Sequence, residues 1–226
     1  MIITFDIETL PCDDPALIAD IHAKVSPPGT HKKAETIAKW WAEDGEQAKA
    51  DAVANTSFDG AYGRVCCISW AFDNEDPMSS AGNDEREVLT GFYASLNDRL
   101  SVDIHGGSLS VPAIFCGHYI TGFDLPFLKH RSIINKVRPN LSILKAMSAK
   151  PWDACIADTL LMWSGDPHKR GSMDKLCKVL GIPGKGDFDG SMVASTWPTD
   201  PQKVISYCED DVIRTRSIYQ RLTFDF

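Results

Sequence analysis

No apolar stretch in the 226-residue chain approaches the ~20 residues that cross a bilayer, so no membrane-spanning helix is expected. The seven cysteines, Cys12, Cys66, Cys67, Cys116, Cys155, Cys177 and Cys208, form no Cys-x-x-Cys pair, which removes a common zinc and redox signature. Several fall in predicted strands or helices, so reduced, buried thiols are expected, as suits the cytoplasm. With a first strand read as beginning at Met1, no signal peptide is expected. Neither an internal repeat nor a low-complexity tract is present, and His118 and His168 lack a partner at metal-binding spacing. Positive charge is also scarce. With 23 Lys+Arg against 31 Asp+Glu the net charge is −8, which taken alone argues against a nucleic-acid partner.

The distribution of charge argues the other way. Residues 1–116 carry 8 Lys+Arg and 19 Asp+Glu, a net −11, whereas residues 117–186 carry 11 and 5, a net +6. Residues 187–226 hold 4 and 7, a net −3. The basic middle includes Lys129, Arg131, Lys136, Arg138, Lys145, Lys150, Lys169, Arg170, Lys175, Lys178 and Lys185. Such a band is where a strand of phosphates would run, although solvated lysines on helix surfaces account for part of it.

Three acidic segments stand out. Met1 to Glu8 is an apolar, β-branched run that predicts a buried strand. Side chains two apart on a strand share a face, so Asp6 and Glu8 point together while Phe5 and Ile7 enter the opposite layer. The spacing alone leaves open a solvated acidic strand end. In the second segment, Val111 to Cys116 predicts a strand and Leu125, Leu128, Ile133 and Ile134 the following helix. Asp124 is placed as its N-cap, with Pro126 in the first turn. The third is a helix opened by Asp200-Pro201, whose apolar side is Val204, Cys208, Val212, Tyr219 and Leu222. Tyr207 and Asp211 are four apart and so lie one turn from each other on one face. Each segment by itself also suits a structural role. Together they supply the hard oxygen ligands that Mg²⁺ or Mn²⁺ requires for phosphodiester chemistry.

Elsewhere, residues 11–63 form an excursion between the first two strands, broken by Pro27-Pro28-Gly29. Thr30 is placed to cap a helix through Trp40 and Trp41, and a second helix covers Glu46 to Ala54. Trp40, Trp41 and Phe58 suit either the core or a groove wall, with the core favoured. Strands follow at 64–72 and 77–82, a helix at 84–100, a loop at 101–107, a strand at 111–116, and helices near 124–135, 156–164, 172–180 and 201–222. This order predicts one α/β layered domain over 1–226. Pro183-Gly184-Lys185-Gly186 reads as an ordinary loop or as a close approach to phosphate.

The order Phe-Asp-x-Glu-Thr, Gly-Phe-Asp-Leu-Pro, Tyr-x-x-x-Asp resembles the three motifs of the DEDD exonuclease superfamily, in its tyrosine branch; the histidine branch would want His where Ser206 stands. The likeness is closest to stand-alone predicted 3′–5′ exonucleases related to the proofreading domain of B-family DNA polymerases, and spans essentially the whole chain. Ile156-Ala157-Asp158-Thr159-Leu160, Leu180 to Lys185 and Asp189-Gly190-Ser191 add to it. The resemblance implies an RNase H-like mixed β-sheet flanked by helices, with the 11–63 excursion as a helical insertion after the first strand. It implies Asp6, Glu8, Asp124 and Asp211 as ligands of two divalent ions about 4 Å apart that bracket the scissile phosphate. Asp6, Glu8 and Asp211 would hold the ion that binds the attacking water. Asp6, with Asp124 directly or through water, would hold the ion at the leaving 3′-oxygen. Tyr207 would orient that water, since a phenol with pKa ~10 is a poor base. Thr9, Leu10, Tyr119, Phe123 and Lys185 would contact substrate. Tyr119 departs from the family, which usually carries Asn there; it suits base stacking or a structural replacement equally. Asp211 fits the motif spacing better than Asp210, and Asp158 is read as structural. The implied substrate is the 3′ end of single-stranded or frayed DNA, releasing nucleoside monophosphates in replication or repair, in a bacterial or phage setting. RNA as the substrate, and a module that binds nucleic acid without cutting, are the alternatives.

Overall fold

In the computed structural model, residues 1–104, 107–166 and 171–225 are described. The chain runs β1 (Ile2–Leu10), α1 (Pro15–Lys24), α2 (Ala34–Glu43), α3 (Gly45–Ala54), a 3₁₀ turn (Asn55–Phe58), β2 (Arg64–Phe72), β3 (Met78–Ala81) and α4 (Glu85–Leu100). It continues through β4 (Ser101–Ile104), β5 (Gly107–Ser110), β6 (Ile114–Gly117), α5 (Asp124–Ile134), α6 (Leu141–Ala146), β7 (Ile156–Asp158) and α7 (Thr159–Ser164). Last come α8 (Met173–Leu180), a 3₁₀ turn (Gly190–Met192), α9 (Val193–Thr196) and α10 (Pro201–Leu222).

Among the described residues the main sheet has five strands in the order β3-β2-β1-β6-β7. The first three are antiparallel; β6 joins β1, and β7 joins β6, in parallel. β1 is therefore central, and its alternating side chains feed two layers. Ile3, Phe5 and Ile7 enter a buried cluster with Val88, Leu89 and Phe92 of α4 and Leu125 and Leu128 of α5. Leu10 enters a second cluster with Cys66, Cys67, Trp197, Val204, Tyr207 and Cys208, so α10 covers the face on which Asp6 and Glu8 stand. The pairing of β1 with β2 shifts register between Glu8 and Thr9, leaving Cys66 as the extra residue. A bulge beside a site bends the strand and re-aims its side chains. Helices flank both faces of the sheet, an RNase H-like α/β arrangement.

The layers are tied by one buried charge network. Glu85, at the start of α4, accepts from Val65 N at 2.7 Å and from Asn135 Nδ2 at 2.7 Å. It also accepts from Arg131 through Nε at 2.9 Å and Nη2 at 2.7 Å. Arg131 further donates to Gly60 O at 3.4 Å, linking α5 to the end of the insertion.

Several expectations change. Asp124 is not the N-cap of α5 but its first residue; Phe123 precedes the helix and no side chain caps it. The Asp124 carboxylate is instead buried toward β1, at 3% exposure. Ile133 and Ile134 face solvent, because Arg131 and Ser132 occupy the inner face of the last turn. Thr30 caps nothing: α2 starts after Lys33 without a side-chain cap. The Asp14-Pro15 pair opens an additional helix, α1, with Asp14 accepting from Ala16 N. The expected loop at 101–107 includes strand β4, which pairs with β5 as a hairpin. Ile156–Asp158 begins the expected helix as a strand, too short for periodicity to reveal, paired with β6. Trp40 is half-buried, Trp41 is exposed and Phe58 is 72% exposed, so the insertion does not carry them into the core. The helix from Asp200-Pro201 does form as expected, with Asp200 accepting from Lys203 N at 3.1 Å.

Candidate active site

Asp6, Glu8, Asp124, Tyr207 and Asp211 line a single cavity of about 390 Å³. Thr9, Tyr119, Phe123 and Lys185 line it too, together with Ser57, Phe58 and His118. Leu10 does not; it is buried in the cluster under α10. A larger cavity of about 640 Å³, lined by Met1, Pro112, Ile114, Leu141 and Cys155, contains no acid and lies at the other end of β1 and β6.

Three elements deliver the carboxylates. β1 presents Asp6 and Glu8, α5 presents Asp124 from its first turn, and α10 presents Asp211 with Tyr207 one turn earlier. Asp210, the neighbour of Asp211, is exposed and pairs with Arg214 Nη2 at 3.2 Å. Helical rotation thus turns Asp211 inward and Asp210 outward.

The acids crowd one another. Burial, then the charges of Asp124, Asp211 and Glu8, push the Asp6 carboxyl well above the usual range. Burial and the Asp211 charge do the same to Glu8. Asp124 is pushed up to about 7, first by burial and then by Asp158. Burial and the charges of Asp211, Glu8 and Asp6 raise the Tyr207 phenol, so it stays protonated. Such a cluster is costly as anions without a compensating cation.

Two cations compensate in part. Lys185 Nζ donates to Asp211 Oδ2 at 2.6 Å and also to Tyr207 Oη. Arg214 Nη1 donates to Asp211 Oδ1 at 2.7 Å. Phe188 packs edge-on against the Tyr207 ring at 5.0 Å between centroids. Arg214 was not anticipated from sequence, although its spacing of three from Asp211 was the available signal.

The donor set suits hard divalent ions. Among the described residues Asp6, Glu8 and Cys208 offer ligand atoms within 4.8 Å of one another. The thiol is the poor member: it is soft, and burial raises it well above its usual range. Cys208 instead approaches Asp6 Oδ2 at 3.6 Å as a weak donor. The hard ligands available to a cation entering here are Asp6, Glu8, Asp124 and Asp211. Burial, aided by neighbouring carboxylates, raises Asp6, Glu8 and Asp124, a cost that a divalent charge would relieve.

The turn between β6 and α5 shapes the rest. Tyr119 adopts φ +67°, a left-handed conformation that costs a non-glycine residue about 1–2 kcal/mol. Asp158 holds it there, accepting from Tyr119 N at 3.0 Å and from Thr121 N and Oγ1 at 3.1 and 2.6 Å. Asp158 also caps α7, so its oxygens are committed to structure. The Tyr119 ring lies on Gly122, where a Cβ would collide with it. His118 is fixed by Thr159 Oγ1 at 2.9 Å and Gly171 O at 3.2 Å, and burial lowers its pKa, favouring the neutral ring.

Among the described residues, most of the basic middle of the chain does not line this cavity. Arg131 turns inward to Glu85, while Lys129, Lys136 and Arg138 line a separate groove. His168, Lys169 and Arg170 lie outside the described residues. Lys185 is the basic side chain from this band that lines the cavity among the described residues.

The model of a family described as "Predicted 3'-5' exonuclease related to the exonuclease domain of PolB" matches residues 64–224. The match begins after β1, so Asp6 and Glu8 join the set through the fold. No curated protein matches the chain. The fold is similar to that of the family B DNA polymerase from the hyperthermophilic archaeon Pyrobaculum calidifontis, with a TM-score of 0.58 and 14% identity over 98% of this chain. The chain spans only 24% of that polymerase.

Proposed function

The chain belongs to the family of predicted 3′–5′ exonucleases related to the exonuclease domain of PolB, and on that premise we propose that it removes nucleoside monophosphates from the 3′ end of single-stranded or frayed DNA. The observation that carries this reading is the convergence of Asp6, Glu8, Asp124 and Asp211, from three elements, on one cavity that also holds Tyr207.

In this reading Asp6, Glu8, Asp124 and Asp211 would hold two Mg²⁺ or Mn²⁺ ions. When bound, such ions polarise the phosphoryl oxygens, lower the pKa of water and stabilise the leaving oxygen. The side chains do the rest. Tyr207, kept protonated, orients the attacking water by a hydrogen bond and leaves proton removal to other groups. Lys185 fixes the phenolic oxygen and one Asp211 oxygen, and offers its charge to the phosphate. Phe123 and Tyr119 bound the space beside Asp124, where the terminal nucleotide would lie. Arg214 holds the second Asp211 oxygen, which sets the carboxylate plane.

The test is a gel time course on 5′-labelled single-stranded DNA and a matching RNA, with Mg²⁺, Mn²⁺ or EDTA. A metal-dependent ladder shortening from the 3′ end, faster on DNA and lost in Asp6→Ala, is expected. A faster RNA ladder would correct the substrate. Cleavage that persists in Asp6→Ala, or none in the parent protein, would overturn the reading.

A further inference from the structure

Phe58 closes the 3₁₀ turn at the end of the helical insertion and, 72% exposed, lines the acidic cavity. A single exposed apolar side chain is ordinary on a protein surface. Three observations together set this one apart.

The first is its place. Phe58 shares the cavity with all four carboxylates, though it comes from the insertion rather than from any of the three acidic segments. The second is its company. The Phe58 ring centroid is 6.4 Å from that of Phe123, the residue before Asp124, and Phe123 is 5.5 Å from Phe127. An aromatic row thus runs from the buried side of α5 out to the rim. The third is its mount. Thr9, next to Glu8, donates through Oγ1 to Ser57 O at 2.7 Å. Cys12 N donates to Thr56 Oγ1 at 2.8 Å, and that hydroxyl donates to Val53 O at 2.5 Å. Thr56 is buried. Of the two residues before Phe58, Ser57 is therefore bonded to the strand that carries Asp6 and Glu8, and Thr56 to the segment just after it. The backbone that carries Phe58 is thus tied close to the acidic strand, while the side chain stays exposed beside Phe123.

We propose that Phe58 is a base-stacking platform for one of the last two nucleotides of the substrate strand, so that the insertion forms part of the nucleotide-binding site. This rests on the function proposed above. A base stacked on a phenylalanine face is held without hydrogen-bond readout, so the platform is tolerant of sequence. It also requires an unpaired base, because a base inside a duplex has its faces covered by its neighbours.

Kinetics on abasic strands test the platform. The substrates are a 5′-labelled single-stranded DNA and the same strand with a tetrahydrofuran abasic residue at the last or the next-to-last position. The proteins are the parent chain, Phe58→Ala and Phe58→Trp. Base–aromatic stacking corresponds to about a 5- to 150-fold effect on KM. The parent protein should show that rise on losing the base at one of the two positions. Phe58→Ala should show it already with the intact strand and lose little more with the abasic one, whereas Phe58→Trp should behave like the parent. Equal abasic penalties in the parent and Phe58→Ala, or a parent indifferent to both positions, would overturn the platform while leaving the exonuclease intact. A parent protein that degrades no strand would overturn the functional reading itself.

Discussion

Lys185 Nζ sits 2.6 Å from Asp211 Oδ2, although the two residues lie in different elements, the loop after α8 and the middle of α10. The same ammonium reaches Tyr207 Oη, one helical turn from Asp211. A single flexible cation therefore spans an acid and a phenol that sequence spacing alone had paired. Its position makes it a local counterion for the Asp211 carboxylate.

Replacing it separates those roles. Lys185→Met is expected to lower kcat about a hundredfold to a thousandfold, as lost electrostatic stabilisation of a transition state does. The half-saturating Mn²⁺ concentration should fall, because the ammonium no longer competes for Asp211. Steady-state assays across a Mn²⁺ titration measure both. Unchanged turnover would remove Lys185 from the chemistry.

Tyr207→Phe keeps the ring packed on Phe188 and removes only the hydroxyl that Lys185 holds. Turnover should drop about tenfold to a hundredfold through misplaced water, while the stabilisation given by Mn²⁺ in a thermal melt is unchanged. A melt that no longer responds to Mn²⁺ would show that the hydroxyl shapes the ion site rather than the attack.

The metal-free protein should lose stability as pH rises. Asp124 is pushed up to about 7 in the fold, mainly by burial, against ~3.9 in the unfolded chain. Between those values the folded state keeps a proton that the unfolded state has released. Stability therefore falls from about pH 4 to about pH 7 and stays lower above that. Asp6 and Glu8, raised by burial and by neighbouring carboxylates, add in the same direction. The effect is on the order of a few kcal/mol. Melting temperatures in EDTA should decline across this window, and saturating Mg²⁺ should flatten or reverse the decline. A flat profile in EDTA would mean the acids are solvated.

Arg131→Met should be far more damaging than its distance from the cavity suggests. It strands the Glu85 carboxylate, which takes two hydrogen bonds through Arg131 Nε and a third through Nη2. Breaking a buried pair from one side costs about 3–5 kcal/mol. Glu85→Leu together with Arg131→Met should recover much of that loss. Denaturant titration of both variants checks it; a single mutant within about 1 kcal/mol of the parent would show that water reaches Glu85.

The parts of the site that could be read in advance were those set by local periodicity. The two-residue repeat of a strand puts Asp6 and Glu8 on one face whatever surrounds them. Four residues of helix put Tyr207 beside Asp211. Asp200-Pro201 marked a helix start because capping is a local hydrogen-bonding problem. The role of Asp124 was harder: N-cap and first-turn positions differ by one residue, and only the packing of α5 against β1 decides between them. Short elements such as β7 and α6 carry too few residues for a pattern to emerge. Phe58, Trp40 and Trp41 looked like core by hydrophobicity, yet the insertion does not bury them in either cluster.

The sequence by itself determined which residue types were available, the central strand, the long last helix and the pairing of chemistry within each. These follow from backbone periods and caps acting over a few residues. The tertiary structure alone decided that three distant segments share a cavity and that Lys185 and Arg214 grip the same carboxylate. It also set Asp158 to hold the Tyr119 turn and stood Phe58 on the rim. Those outcomes depend on how sheet order and helix packing bring separated residues together, and no local repeat in the chain encodes that.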